Sequence, residues 1–492
     1  MTKRFDGFIR RQIALQWDSE IQSPYKRRLD FSRFSQAITS EDYKRLEALV
    51  LYRPVQELQD LVAGRQLTYE EILLFFLKRI ETFNEPGLRA VIEINPESLE
   101  KARWCDANRP PRPGMVFGMP LLVKDNIATG GPLHTASGSA VLKDMIPLRR
   151  APLIKAYEDQ GGIVLGKTNL SEWSFYMAEG GACGYSALGG QGHNPHGRFG
   201  VGGSSSGSAV GVYKGFAPFA LGTETDGSIT YPSSQNGVVG LYPTRGVLDS
   251  GGIVPVSSTL DNPGPMAGNV MDAAALLVAL AREEPVKSID LKGIPGAKVT
   301  SMTLGIVDND AIKAGRRTGD DEILDSLEES LAANGLAVKR IQLPENVFLL
   351  SSETIIRQEF RGALSAYLAE YGDGSFTSLE DIVAAYEGGP KDMAPYGFKR
   401  LQEALETPVS KEDLKGMTAL AREGLDSGLK EVDLLVSLSS QLSTVFGIAG
   451  YPSISVPGMK RPSGEPVGVT LTAGAYEEEK LLKMAWAMTR FL

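Results

Sequence analysis

This chain of 492 residues contains only two cysteines, Cys105 and Cys183, and three histidines, His134, His193 and His196. Two cysteines can form at most one bridge, which excludes a disulfide framework and favours a reducing compartment. No apolar run reaches the roughly 18 residues of a membrane span, and the N-terminus lacks the apolar core of a signal peptide. We therefore expect a cytoplasmic protein that has no membrane partner.

Positive charge is also in deficit, because 51 Lys and Arg stand against 60 Asp and Glu, for a formal net charge of −9. An acidic chain lacks the basic surface that binds phosphate backbones, which argues against a nucleic-acid partner. The hydrophobic share of 42% and the charged share of 23% are ordinary for a globular protein. The length is sufficient for one large domain or for about two or three ordinary ones.

Segments with helical and strand-like patterns alternate along most of the chain. Strand-like runs include residues 303–307 and 432–436, and a final helix begins at about Glu477. This alternation predicts an α/β fold with one large, mixed and mostly parallel sheet that helices cover on both faces. We expect a helical extension at residues 1–50, one domain at residues 51–492, and within it a helical, aromatic-rich insertion at about 352–428 that covers the substrate pocket.

Two glycine-serine clusters, Gly202–Ser208 and Gly222–Ser228, are the most informative segments. Repeated backbone amides beside a small hydroxyl form a nest that can stabilise the oxyanion of acyl transfer. Lys124 follows three apolar residues, so its side chain is expected to enter the interior. Burial there lowers the pKa of a lysine, and a neutral amine can accept a proton as a base. Ser228 is then a candidate nucleophile and Ser204 a proton relay to Lys124. From the residues alone, the favoured interpretation is a Lys124 whose charged end reaches water or forms a salt bridge, with Asp125 beside it.

Three other motif matches carry less weight. Gly161–Thr168 fits the letters of a phosphate loop, but residues 163–165 have the pattern of a strand and leave no loop for a nucleotide-binding regulator. Gly203–Gly207 fits G-x-S-x-G, but no histidine follows Ser205, which excludes the chain order Ser, acid, His. His193–His196 lacks both helical spacing and a neighbouring cysteine, so no metal is expected.

The surviving segments resemble the amidase signature family. That family carries a lysine in a K-D-N-like run, then a G-G-S-S-G-G-S-like segment, then G-T-D-T-G-G-S-I-R-x-P. The corresponding segments here are Lys124–Asn126, Gly202–Ser208 and Gly222–Pro232, with further matches at Gly237–Thr244 and Ser258–Pro265. Because several motifs occur in the same order over roughly residues 54 to 490, the resemblance is specific and favours the catalytic interpretation of Lys124.

The resemblance implies an amidohydrolase that needs no metal or organic cofactor. By position, it makes Ser228 the acylating nucleophile, Ser204 a bridging serine beside a cis peptide bond, and Lys124 the final base and acid. It also implies an oxyanion hole formed by the backbone amides of Thr225, Asp226, Gly227 and Ser228.

Thr230 stands where many members of that family have an arginine, which can hold a substrate carboxylate through two hydrogen bonds. Threonine cannot do so, which favours uncharged amides. The amino-acid sequence of the second cluster most resembles those of peptide-amidase-like and fungal-type amidases. We expect a small-molecule or peptide amide as the partner, and a homodimer as the assembly. Two alternatives stay open: a glutaminase-type amidotransferase subunit of a tRNA-dependent transamidation complex, and a relative that cleaves carbamates or esters.

Overall fold

The computed structural model describes residues 2–19, 21–34, 38–408 and 414–492. The α-helices in this part of the chain are α1 Thr2–Trp17, α2 Ser40–Val50, α3 Val55–Ala63, α4 Tyr69–Phe83, α5 Ser98–Ala107, α6 Pro152–Asp159, α7 Ser206–Tyr213, α8 Thr230–Asn236, α9 Val270–Leu280, α10 Asp310–Ala314, α11 Asp320–Ala333, α12 Ser352–Tyr371, α13 Leu379–Gly388, α14 Lys399–Glu406, α15 Leu414–Leu429, α16 Ser443–Ala449 and α17 Glu478–Met488. Short 3-10 helices lie at Glu172–Phe175, Val286–Ser288, Leu291–Gly293, Glu345–Leu349 and Lys391–Met393.

The strands in the same ranges are β1 Val91–Ile94, β2 Pro120–Lys124, β3 Ile163–Thr168, β4 Tyr185–Ser186, β5 Gly190–Gln191, β6 Phe219–Glu224, β7 Val239–Tyr242, β8 Asn262–Ala267, β9 Thr303–Val307, β10 Ala337–Ile341, β11 Leu434–Leu438, β12 Ser453–Lys460 and β13 Pro466–Thr472. Among these, β4 and β5 form a two-stranded ribbon, and the other strands form one sheet in the order β1-β3-β2-β6-β8-β7-β12-β13-β11-β9-β10.

The sheet is mixed. β2 is parallel to β3 and β6, and β9 is parallel to β10 and β11. The other neighbouring pairs are antiparallel, including β12 with β13, whose connection is too short for the crossover that parallel strands need. The predicted α/β class and large mixed sheet are confirmed. In the described ranges, four of the ten neighbouring pairs are parallel, in two blocks around β2 and β9, and six are antiparallel.

Two groups of helices pack on the sheet. α7 and α8 contact each other, and between them they contact β2, β3, β6, β7, β8, β12 and β13. α9 contacts α6 and α17, and this second group packs on β6, β7, β8, β12 and β13. Helices therefore cover the sheet as predicted, and they leave its central strands buried on both sides.

The segment Gly161–Thr168 is a turn followed by β3, and α6 precedes it. Its Lys167 is buried, with Nζ 2.5 Å from Ile127 O and 2.9 Å from Thr135 Oγ1. The interpretation of this segment as a strand, with no phosphate loop, is thereby confirmed.

The proposed domain limits stay predictions. α1 and α2 lie within residues 1–50, but the described residues 21–34 between them form no helix. α12 to α15 lie between residues 352 and 429, so the second region is mostly helical where the structure describes it. In the described ranges, no helix has both the length and the apolar character to cross a bilayer.

Candidate active site

Lys124 is the last residue of β2, a strand whose residues are all buried and which is paired on both edges. Its Nζ is 2.7 Å from Ser204 Oγ, 2.8 Å from Thr223 Oγ1 and 3.3 Å from Thr223 O. Burial lowers the pKa of Lys124 to about 7, although the carboxyl groups of Asp261 and Glu224 act in the opposite direction. The strand therefore holds an amine that is readily deprotonated against a serine hydroxyl.

Ser204 lies just before α7, and its side chain is 1% exposed. The peptide bond between Gly203 and Ser204 is cis. Gly203 leaves no room for a side chain, because a Cβ there would overlap Ser171 Oγ. The next residue, Ser205, donates its backbone amide to Ser228 O at 3.2 Å. The structure thus brings Lys124 and Ser204 into direct contact and ties the first glycine-serine cluster to the second.

Ser228 lies in the turn between β6 and α8 and is half-buried. Gly227 before it has a φ of 79°, a left-handed conformation that favours glycine. In the described part of the chain, the backbone amides of Thr225, Asp226, Gly227 and Ser228 donate to no protein acceptor. These four neighbouring amides are therefore available to a bound oxygen, and their role as an oxyanion hole stays a prediction.

Glu224, the last residue of β6, holds the chain that follows Ser228. Its Oε2 accepts hydrogen bonds from the amides of Ile229 at 2.6 Å and Thr230 at 2.8 Å. The Thr230 hydroxyl also donates to Glu224, at 3.2 and 3.3 Å, and Thr230 is completely buried. Burial raises the pKa of Glu224 to about 7. Thr230 is therefore turned toward Glu224 and offers a substrate no hydrogen bond.

Sequence reasoning missed the role of the Asp226 carboxylate, because it considered only the backbone amide of that residue. The carboxylate accepts hydrogen bonds from Ser443 Oγ at 2.5 Å, Ser352 Oγ at 2.6 Å and Thr444 Oγ1 at 2.8 Å. Ser352 begins α12, and Ser443 begins α16. These bonds attach the Ser228 turn to two helices that lie far along the chain. One feature of the sequence could have identified this role: Asp226 stands where the amidase signature pattern has a glycine.

Thr223 and Asn126 were also given no role by sequence reasoning. Thr223 Oγ1 contacts Lys124 Nζ and also accepts a hydrogen bond from Asn126 Nδ2 at 2.9 Å. These residues meet because β2 and β6 are neighbours in the sheet, although about a hundred residues separate them in the chain. Thr223 is therefore a second hydroxyl that orients the lysine amine.

The segment from Ser171 to Tyr176 packs beside Ser204, because Ser171 donates its amide to Ser204 O at 3.0 Å. Within it, Trp173, Ser174 and Phe175 have left-handed φ values of 52°, 51° and 73°. Such a conformation is costly for residues other than glycine and persists only where the surroundings impose it.

Glu172 fixes this left-handed segment from within. It accepts hydrogen bonds from Ala187 N at 2.9 Å and Tyr386 Oη at 3.0 Å. Burial raises the pKa of Glu172 to about 8. The buried carboxyl group is therefore neutral over much of the range below pH 8.

Two cavities lie near these segments, and the lining residues of neither include Lys124, Ser204 or Ser228. A small one of about 30 Å³ lies between the left-handed segment and residues 394–397, and its lining includes Phe175, Met177, Tyr185 and Tyr396. A larger one of about 250 Å³ adjoins α8, and Tyr231 and Ser440 are among its lining residues. The described residues contain no group of three or more His, Cys, Asp or Glu side chains that could hold a metal ion.

Comparisons with known proteins give consistent matches. A family model described as Amidase matches residues 71–437. A probable amidase of Arabidopsis thaliana is 33% identical over 451 residues, which is 86% of this chain and 86% of that protein. A glutamyl-tRNA(Gln) amidotransferase subunit from Bdellovibrio bacteriovorus is 28% identical over 482 residues, which is 89% of this chain and 96% of that protein.

Two solved structures are also similar. An amidase family protein from Bacillus anthracis has a TM-score of 0.85 and 30% identity, covering 93% of this chain and 94% of that one. The native peptide amidase from Stenotrophomonas maltophilia has a TM-score of 0.78 and 33% identity, covering 89% of this chain and 96% of that one. The likeness therefore extends over nearly the whole fold described above.

The raised pKa of Glu172 predicts how the variant Glu172→Gln changes stability with pH. The folded state keeps the proton up to about pH 8, whereas an ordinary glutamate loses it near 4.5, so the free energy of unfolding of the wild type falls as pH rises between these values. Glutamine has no such proton. The melting temperature of Glu172→Gln, relative to the wild type, is therefore expected to increase from pH 5 to pH 8 in calorimetric scans. A constant difference would contradict the assignment.

Proposed function

Because this chain belongs to the amidase family and is a hydrolase acting on amides, we propose that it cleaves uncharged amides through an acyl-enzyme on Ser228. The resemblance read from the sequence motifs is confirmed at the level of family and enzyme class. The observation that supports the finer proposal is the buried contact of 2.7 Å between Lys124 Nζ and Ser204 Oγ.

In the proposed reaction, neutral Lys124 accepts a proton from Ser204, and Ser204 accepts one from Ser228. Ser228 Oγ attacks the carbonyl carbon of the amide, and the resulting oxyanion is stabilised by the free amides of the preceding turn. The proton returns to the leaving nitrogen as the carbon–nitrogen bond breaks. Water then hydrolyses the ester, and the proton relay runs a second time.

The pKa of Lys124 suits this role. A base works best when its pKa lies near the working pH, because it is then often neutral and still binds a proton well. A value of about 7 meets this condition, whereas an ordinary lysine at 10.5 would be almost wholly charged. The amides of Thr225, Asp226, Gly227 and Ser228, which have no acceptor among the described residues, support the oxyanion hole in the same proposal.

The surroundings of Ser228 favour a neutral substrate. Glu224, Asp226 and Asp261 all lie in or against the turn that carries Ser228, since Thr225 Oγ1 also donates to Asp261 Oδ1 at 2.5 Å. Where they are ionised, which for Glu224 means above about pH 7, these carboxylates would repel an anionic substrate, most strongly where water is scarce. Similarity to a peptide amidase supports a peptide amide in particular.

The transamidation alternative rests on the similarity to amidotransferase subunits such as that of Bdellovibrio bacteriovorus, at 28% identity. The probable amidase of Arabidopsis thaliana and the peptide amidase are each 33% identical to this chain. Cytoplasmic location, the absence of nucleic-acid partners and a homodimeric assembly stay predictions.

A substrate panel tests the proposed function. The purified chain alone is expected to hydrolyse peptide C-terminal amides or aryl amides and to release little ammonia from free glutamine. Ser228→Ala is expected to reduce turnover by about a thousandfold or more, because the acyl acceptor is removed. Ser206→Ala is the matched control from the first cluster, since its buried hydroxyl has no partner in the described residues. Preference for glutamine would favour the transamidation alternative.

The pH profile tests the role of Lys124. Below about pH 7 the amine is charged and cannot accept a proton, so kcat/KM is expected to rise with pH through about 7. Lys124→Met keeps the length of the stem and removes the base, and it is expected to lower kcat by about a hundredfold or more. Wild-type turnover in this variant would rule out the lysine as the base.

A further inference from the structure

Helix α1 contacts the segment that leads into the first glycine-serine cluster. Gln12 and Gln16, one turn apart on this helix, are 2% and 3% exposed. Gln12 Nε2 donates to Gly181 O at 2.8 Å, and its Oε1 accepts from Cys183 N at 2.8 Å. Gln16 Oε1 accepts from Val201 N at 2.9 Å. The two glutamines therefore bind both ends of the loop 181–201, which immediately precedes Gly202.

A short chain of contacts connects Gln12 to Ser204. The residue after Cys183, Gly184, donates its amide to Ser171 Oγ at 2.9 Å. Ser171 in turn donates its own amide to Ser204 O at 3.0 Å. A Cβ placed on Gly203 would lie 3.6 Å from Cys183 Cβ, so this part of the loop also packs directly behind the Gly203–Ser204 bond.

We propose that Gln12 is a positioning residue that holds Ser204 against Lys124 and keeps water away from the lysine amine. The inference rests on the function proposed above, in which Ser204 relays a proton to Lys124. It gives the N-terminal helix, for which the sequence indicated no role, a part in catalysis. Gln12 acts through the loop and does not touch the reacting atoms.

The pKa of Lys124 distinguishes a positioning role of Gln12 from a purely stabilising one. The groups that face the Lys124 amine are the hydroxyls of Ser204 and Thr223, and the charges that act on it are those of Asp261 and Glu224. If the loop 181–201 loosens, the charges of Asp261 and Glu224 stay in place while the burial of the Lys124 amine decreases. Because burial is what lowers the pKa of Lys124, that pKa then rises toward its ordinary value.

The test compares Gln12→Leu with Asn309→Leu in the full-length chain. Asn309 is a matched control because it is fully buried and, like Gln12, binds a distant backbone segment through both atoms of its amide group. Its Nδ2 is 2.8 Å from Leu343 O and 2.7 Å from Glu345 Oε1, and its Oδ1 is 2.8 Å from Leu343 N. It lies beside β9 and β10, at the edge of the sheet away from Lys124. For each variant, kcat, KM, melting temperature and the pH dependence of kcat/KM are measured.

Both variants are expected to lower the melting temperature. Only Gln12→Leu is expected to reduce kcat by about 10- to 100-fold, with little change in KM, because the proton relay is misaligned. The same variant is expected to move the rise of kcat/KM to higher pH. Gln12→Glu keeps an acceptor for Cys183 N and is expected to show a smaller change in the same direction, and it decides the matter if Gln12→Leu does not fold.

The inference is overturned if the Gln12 variants keep the wild-type kcat and pH profile, or if Asn309→Leu loses kcat equally. An active wild type with unaffected Gln12 variants refutes only the positioning role. A wild type that hydrolyses no amide refutes the proposed function and this inference together.

Discussion

The side chain of Lys124 is withdrawn from water at the end of a strand that is paired on both edges. Burying an ammonium group costs several kcal/mol even after the protein relaxes. Hydrogen bonds to Ser204 and Thr223, and the charges of Asp261 and Glu224, compensate this cost only in part. The amine therefore gives up its proton near neutral pH, and it does so in contact with a serine hydroxyl. The contacts that hold the two glycine-serine clusters place Ser204 and the Ser228 turn around this lysine.

Three carboxyl groups fix the turn that carries Ser228, and each engages a different part of it. Glu224 binds the amides that follow the serine, Asp226 binds hydroxyls at the starts of α12 and α16, and Asp261 binds the Thr225 hydroxyl. None of these bonds uses the amides from Thr225 to Ser228. These contacts hold the turn without using its amides in the described chain, as the proposed oxyanion hole requires. Gln12 gives the first cluster comparable support.

The sequence was sufficient for the α/β class, for the burial of Lys124 and for the segments that meet around it, because these depend on local patterns and on motifs within short stretches. It was not sufficient for the antiparallel centre of the sheet, since strand order depends on pairing between distant segments. The same reason explains why Thr223, the Asp226 carboxylate and Gln12 were missed: their partners lie about a hundred residues or more away. The expectation that Thr230 cannot hold a substrate carboxylate stays a prediction, and its bond to Glu224 is a contact that its residue type did not reveal.

Labelling with a fluorophosphonate, followed by peptide mapping, tests the central claim most directly, because the reagent reports an activated serine without any knowledge of the substrate. The account predicts modification of Ser228 alone, at a rate that rises with pH through about 7 and falls strongly in Lys124→Met. Modification of Ser204 or Ser205, or equally fast labelling of Ser228 without the lysine, would contradict it.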